Sequence, residues 1–558
     1  MLINTTTGRL QNKAQQAATF MSMPIVNELV SSMTTYNDRG RIKREVRQFF
    51  RYVMLSHRWE DNEPLFQQVI HIAVYDLDLS PTHEKLQMFC RIVRDAGFHW
   101  AWSDTCCINK KDHFVLQEAL VAMFKWYRGS SMMIVFLRGV RSPSRLGHLV
   151  ESIWNTRAWT LQEYVAAKVI RFYTEDWTPY LNLDIFNHKE SPEIISEMEQ
   201  ATGVSAQQLM SLRPGLSSIR EKLCLASTRR TTMVEDAAYS LLGIFSVAGL
   251  SAIYGEGEKA LGRLLAHILA GSGDTSILAW TGQSGGYNSC LPARINVFNR
   301  EATSHLPAHI EDTKIEEIVK SLGNSNLDFE VALKLYDRLN ELPAPWFAAS
   351  RMKLPCIALQ IPPLSPSRTS SGRVYRAETL LFGTVEIKTK QDLSRFTTLY
   401  LAHPWINALL DHEHHGAQSG AIVEEDVAEL SSPDEDEDTT DEEFEDDLAC
   451  ADSSSPSLVD EDSSDEENED EVMLLSEHEL PPRPVRMDTV PMDRETRALR
   501  LVARLRQPFG ALLFTLTSTR RRAVAYKRVA ADRSITVQMR DDVSLTDILD
   551  KVRVLDVL

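Results

Sequence analysis

Trp159 and Glu163, four residues apart in the segment RAWTLQEYV (Arg157 to Val165), form the pair of side chains best suited to chemistry in this chain. In a helix an i, i+4 pair shares one face, so a carboxylate stands beside an aromatic plate, with Arg157 and Thr160 at the start of the same helix. A carboxylate so placed can hold a ribose hydroxyl or stabilise the oxocarbenium-like state of glycosidic cleavage. Two further clusters close apolar runs. YVMLSHRWEDNEPLF carries Ser56, His57, Arg58 and Trp59, and WSDTCCINKKD carries Asp104, with Asn109, Lys110 and Lys111 in the loop behind it. Polar and aromatic residues at strand ends are where open α/β sheets build ligand sites, so the three segments point to one site. Plainer readings stand beside this one. Trp159 as core, Glu163 as a helix cap or a partner of Arg157, and Asp104 as a cap of the next helix or its turn use the same residues.

Other chemistry is disfavoured by geometry. Ser56 and His57 are adjacent on a strand and point to opposite faces, which makes a nucleophile and base pair a poor reading. Cys106 and Cys107 cannot easily face one metal and fit buried, small apolar positions. His412, His414 and His415 lack a rigid scaffold, so no metal site is assigned. Gly255 and Gly257 precede a helix, but Glu256 and Glu258 would repel a phosphate there, which makes this a structural cap. The basic run Arg520, Arg521, Arg522, Lys527 and Arg528 has only Tyr526 as an interleaved aromatic, too little to identify a nucleic-acid module.

The elements that must position Glu163 follow from periodicity. A basic amphipathic helix, Arg39 to Arg51, delivers the chain into a first strand, Tyr52 to Ser56. A helix over Pro81 to Ala96 leads to a second strand, His99 to Ser103. A helix over His113 to Tyr127 precedes the strand Met132 to Leu137. A further helix starts near Ser152 and runs through Arg157 to Ala166, before the strand Val169 to Tyr173. Strand and helix alternate, which predicts an α/β domain with a mostly parallel sheet and helices on both faces. From about Asn182 to Ala270 the period is helical. From Gly273 it becomes short β-type runs: SILAWTG, PCIALQI, VYRAETLLFGTVEI, ALLFTLTS, VAYKRVA and SITVQM.

With 558 residues, two or three domains are expected. The segment Glu424 to Glu471 holds 25 Asp and Glu and no Lys or Arg, and setting it aside turns a net charge of −18 into +7 for the rest. Such a segment cannot repay its ordering entropy and is expected to be a disordered insert. Its serines among acids suit phosphorylation, and a plain solubilising spacer is an equal reading. The 7 scattered cysteines fit neither a disulfide framework nor a zinc site, which suggests a reducing compartment. The N-terminus has no apolar core of a secretory signal and reads as a flexible leader. Ala237 to Gly255 is uncharged for 19 residues, but its glycines and serines favour a buried helix followed by a loop over a membrane helix.

The three motifs, in this order and spacing, resemble the heterokaryon-incompatibility (HET) domain of fungal self/non-self recognition proteins, with related patterns in EDAAYSLLGIFSV, YGEGEKALGRLL and GDTSILAWTG. HET domains in turn look like distant relatives of TIR domains, whose NAD-cleaving members carry a catalytic Glu four residues after a Trp. The double resemblance implies a TIR/flavodoxin-like sheet, Glu163 as catalytic carboxylate, and a substrate pocket of Ser56, His57, Arg58, Trp59, Asp104, Arg157 and Trp159. This sequence departs from a dinucleotide-binding pattern in having no Gly-rich phosphate loop after the first strand. The expected organisation is a leader and linker (1–45), a HET domain (46–180), a helical extension (181–272), a β-rich C-terminal domain (273–420 and 475–558) and a disordered acidic insert (421–474). The implied role is cytoplasmic, in fungal incompatibility, regulated cell death and innate immunity. No cofactor is required, and NAD is a substrate in the enzyme version. A non-catalytic signalling module that self-associates or binds a partner protein is the alternative. A nucleotide is a ligand in the first reading, and neither nucleic acid nor a membrane is expected.

Overall fold

The computed structural model describes residues 1–36, 39–247, 249–299, 317, 319–320, 328–362, 364–369, 372–405, 494–518, 524–540 and 543–558. The acidic insert, His412, His414, His415 and Arg520 to Arg522 lie outside them.

The N-terminal sheet has six strands: β1 (Leu2–Asn4), β2 (Leu10–Gln11), β3 (Tyr52–His57), β4 (Trp100–Trp102), β5 (Met132–Leu137) and β6 (Ile170–Thr174), ordered β2-β1-β4-β3-β5-β6. The pairs β3–β4, β3–β5 and β5–β6 are parallel, whereas β1 runs antiparallel to both β4 and β2. The parallel strands are buried throughout β5, the composition MMIVFL being that of a strand covered on both faces. The longer helices of this part are α1 (Lys13–Met21), α2 (Pro24–Tyr36), α3 (Arg39–Phe49), α4 (Pro81–Asp95) and α5 (His113–Gly129), joined by the shorter α6 (Trp159–Ala166). The crossovers put α4 on one face of the sheet and α6 on the other, where α5 packs against α6. Ser80 caps α4, accepting from the His83 N–H at 3.2 Å, with Pro81 at the first helical position.

The N-terminal residues differ from a flexible leader. Ile3 is 0% exposed, β1 pairs in register with Trp100 and Ala101, and Thr5 Oγ1 donates to the Phe98 carbonyl at 2.7 Å. The physical reason is the edge of β4, whose open backbone groups β1 satisfies. Phe49 at the end of α3 stacks edge-on against Trp100 at 5.6 Å, which ties the basic helix to the same edge.

The single helix expected from Ser152 to Ala166 is two pieces. Ile153–Thr156 ends where Arg157 turns extended (φ −82°, ψ 139°), and α6 starts afresh at Trp159. The break is stabilised from a distance: Arg230 N–H donates to the Thr156 carbonyl at 2.6 Å and Ala158 N–H to the Arg230 carbonyl at 3.1 Å. No local periodicity encodes that pairing.

Downstream, helices α7 (Pro192–Thr202), α8 (Ile219–Ser227) and α9 (Lys259–Ser272) cover the sheet domain. The uncharged stretch from Ala237 holds a four-residue helix, Asp236–Tyr239, followed by turns, so the longer buried helix expected there is not formed. Gly243 explains part of this, since it lies against Phe124 where a Cβ would come within 2.2 Å. No helix among the described residues is long and apolar enough to cross a membrane.

The SILAWTG run is a 3-10 turn, Thr275–Leu278, rather than a strand, because Asp274 accepts from the Ser276 N–H at 2.8 Å and caps it. Beyond it, β7 (Arg351–Ile361), β8 (Leu399–Pro404), β9 (Phe509–Ser518), β10 (Val524–Arg528) and β11 (Val552–Val557) close on one another in the order β8-β9-β10-β11-β7-β8. A hairpin, Gly372–Thr379 with Gly383–Thr389, and a strand at Ser365–Thr369 form a second sheet. Arg528 is buried over the Trp280 ring at 3.9 Å and donates to the carbonyls of Leu278 (2.9 Å) and Trp280 (2.8 Å). It is therefore spent on internal structure, which removes one member of the basic run considered for nucleic acid.

Candidate functional site

Four parallel strands in the chain order second, first, third, fourth place the point where the connections diverge, at which open α/β sheets bind ligands, between the carboxyl ends of β3 and β5. Ser56 sits near the end of β3 on the α6 face. Its hydroxyl donates to Glu163 Oε2 and accepts from Trp154 Nε1 at 2.7 Å. Glu163 is 7% exposed, and burial pushes its carboxyl up to about 7. The Ser56 hydrogen bond works against that shift, the Asp104 charge adds to it, and Arg157 and Arg229 oppose it. At this balance Glu163 can exchange a proton near neutral pH.

Asp104 follows β4 and accepts from the Trp59 indole Nε1 at 2.7 Å. It is not the helix cap: Asp112 fills that role for α5, accepting from Phe114 N–H at 3.0 Å and Val115 N–H at 3.2 Å. Trp59 is 41% exposed, and the Lys110 ammonium lies 3.2 Å from its ring centroid. Burial lowers the pKa of Lys110, whose Nζ has no hydrogen-bond acceptor among the described residues. An exposed indole, a buried ammonium and a carboxylate thus stand together after β3 and β4.

Arg157, half-buried in the break before α6, donates to the His57 carbonyl at 3.3 Å and so ties α6 to the end of β3. Trp159 is half-buried, with the Asp236 carboxyl beside its side chain. Arg58 is exposed on the loop after β3.

His57 is not brought to this group. Its ring lies on the other face of the sheet, 3.8 Å from Glu63 Oε1, in a buried cluster where Lys85 of α4 binds Glu63 and, at 3.4 Å, Glu60. Alternation along β3 is the reason, since consecutive side chains leave opposite faces. Burial, then the charges of Lys85, Arg157 and Lys110, hold the imidazole pKa well below its ordinary value, so the ring is neutral. Ser56 and His57 therefore cannot act as nucleophile and base.

The amides of Gly255 and Gly257 are taken by Glu235, whose Oε1 accepts both at 2.8 and 2.9 Å. The anion-binding turn is already filled by a carboxylate of the chain. Three residues around Glu163 and Trp159 were not singled out from sequence: Trp154, Arg229 and Asp236. Trp154 lay in the apolar face of a helix assumed continuous, and Arg229 and Asp236 are more than sixty residues from Glu163.

Residues 52–148 match the family model described as Heterokaryon incompatibility protein (HET), and the chain therefore carries a HET domain. The matched region contains Ser56, Trp59 and Asp104 and ends before Arg157, Trp159 and Glu163. Among curated proteins, the chain is 34% identical over 228 residues to vegetative incompatibility protein HET-E-1 of Podospora anserina. That similarity covers 38% of this chain and 16% of the relative. No solved structure matches.

Proposed function

We propose that this protein acts in fungal heterokaryon incompatibility and the regulated cell death that accompanies it, and that its α/β domain does so by TIR-like cleavage of NAD at Glu163. The observation that carries the reading is the Ser56–Glu163 hydrogen bond at the end of β3, with the acid raised to about 7 by burial and by the Asp104 charge. The four-residue spacing of Trp159 and Glu163 and the flavodoxin-like order of the parallel strands agree with it. In the reaction nicotinamide leaves the ribose C1′ with the bonding electron pair, the Glu163 carboxylate stabilises the oxocarbenium-like state, and water adds its hydroxyl to C1′ and releases a proton. Trp59 offers a stacking plate, and Lys110 and Arg157 offer charge to the phosphates. Since the ionised carboxylate is the working form, turnover by the full chain should rise with pH through about 7. Glu163→Gln should abolish nicotinamide release, and unchanged release from a folded Glu163→Gln protein would sink the assignment.

One observation favours a non-catalytic signalling module. One oxygen of the buried Glu163 carboxylate is taken by the Ser56 hydroxyl, which Trp154 holds in turn. In that reading the crevice binds a nucleotide, or the surface self-associates or meets a partner protein, without turnover. Binding of NAD measured by calorimetry with no nicotinamide formed would favour it.

A further inference from the structure

We propose that the stretch from Arg229 to Gly257 is a wall of the Glu163 site, in which Arg229 is a positioning residue for the Glu163 carboxylate and Asp236 one for the Trp159 indole. The inference rests on the reading of Ser56, Asp104 and Glu163 as one site, and does not require that the site turns over NAD.

Three independent contacts join this stretch to α6. Arg230 forms the parallel bridge with Arg157 that ends the preceding helix and lets α6 begin at Trp159. Arg229 Nη1 donates to the Arg157 carbonyl at 3.0 Å and to Thr160 Oγ1 at 2.9 Å, while Thr160 itself donates to the Trp154 carbonyl at 2.8 Å. Trp154 is the residue that holds Ser56, so one chain of bonds runs from Arg229 to the hydroxyl that binds Glu163. Third, the Asp236 carboxyl, which accepts from the Tyr254 hydroxyl at 3.0 Å, lies beside the Trp159 side chain.

The charge of Arg229 has no other evident use. The side chain is buried, and its Nε and Nη2 have no hydrogen-bond partner among the described residues. A buried guanidinium with open donors is costly unless a negative charge lies near, and Glu163 is the first-ranked charge that stabilises it. The charged and titratable groups close enough to act on Glu163 through space are Asp104 after β4, Tyr127 of α5, Arg157 before α6 and Arg229 after α8. Arg229 and Asp104 thus pull the carboxyl in opposite directions. The turn at Gly255 and Gly257 is clamped by Glu235 next to Asp236, which fixes the lid end of the wall.

The test is a titration of Glu163 in the full chain carrying 13C-labelled glutamate side chains, with Glu163→Gln used to identify the resonance. The wild-type midpoint is expected near the value of about 7. Arg229→Gln should raise it by about one pH unit, and Arg229→Lys, which keeps the charge but not the fork, should leave it within about 0.3. Should Arg229→Gln fail to fold, Arg229→Met, which fills the same volume without open donors, carries the same expectation. A midpoint that stays at the wild-type value in a folded charge-removing variant, or moves as far in Arg229→Lys, overturns the proposal. Asp236→Ala should speed exchange of the Trp159 indole proton about tenfold, and unchanged exchange would overturn its part. Wild-type protein that leaves NAD intact would defeat the catalytic reading without touching these outcomes.

Discussion

Replacing Glu163 by Gln should make the protein more stable at alkaline pH than at acid pH relative to wild type. Burial raises the folded carboxyl from an ordinary 4.5 to about 7. Below the unfolded value both states are protonated and the group contributes no pH dependence. Between the two values the unfolded chain has released its proton while the folded one still holds it. Wild-type stability therefore falls as pH rises through this window, and the loss is complete above about 7. A gap of roughly 2.5 units corresponds to about 3 kcal/mol, at about 1.4 kcal/mol per pH unit inside the window. The amide keeps an oxygen for the Ser56 hydroxyl, and any cost of its unpartnered NH2 does not depend on pH. Denaturant unfolding of both full-length proteins, followed in the transition reported by the tryptophans of the sheet domain, should show the difference moving by about 3 kcal/mol toward the Gln variant between about pH 4 and about pH 8. A difference that stays flat across that range would show that Glu163 is not a carboxyl kept neutral by burial, and the tuning on which the site depends would be gone.

Two further outcomes test the scaffold. Lys85→Met should destabilise the sheet domain by about 3 kcal/mol in chemical unfolding, because it strands the buried Glu63 carboxylate beside a neutral His57, whereas Glu60 keeps its ion pair with Arg138; Lys85→Arg should recover part of the loss. Gly243→Ala should lower stability by about 1–3 kcal/mol, since its new Cβ would sit 2.2 Å from Phe124 Cβ on α5, and Gly243→Ala should cost measurably less in a Phe124→Gly background, which lacks that Cβ.

Much of the HET region was legible because its elements are encoded locally. The apolar runs Tyr52 to Ser56 and Met132 to Leu137 became β3 and β5, and the periodic stretches from Pro81 and His113 became α4 and α5 with their Ser80 and Asp112 caps. The opposite orientation of Ser56 and His57 followed from the two-residue period of a strand alone. The same rule, applied more strictly, would have removed His57 from the pocket. The break at Arg157 was not legible, because Arg230 imposes it through backbone hydrogen bonds across the fold. Nor was the pairing of Leu2–Asn4 with β4, since a three-residue strand has too few residues to show a period.

Residue types and spacing determined that an α/β domain would present Ser56, Asp104, Trp159 and Glu163 near its strand ends, because periodicity is a property of neighbouring residues. Only the tertiary structure decided which of them meet and what the acid's proton affinity becomes. Both depend on burial and on charges such as Arg229 and Asp104, which approach Glu163 through space from segments far away in the chain.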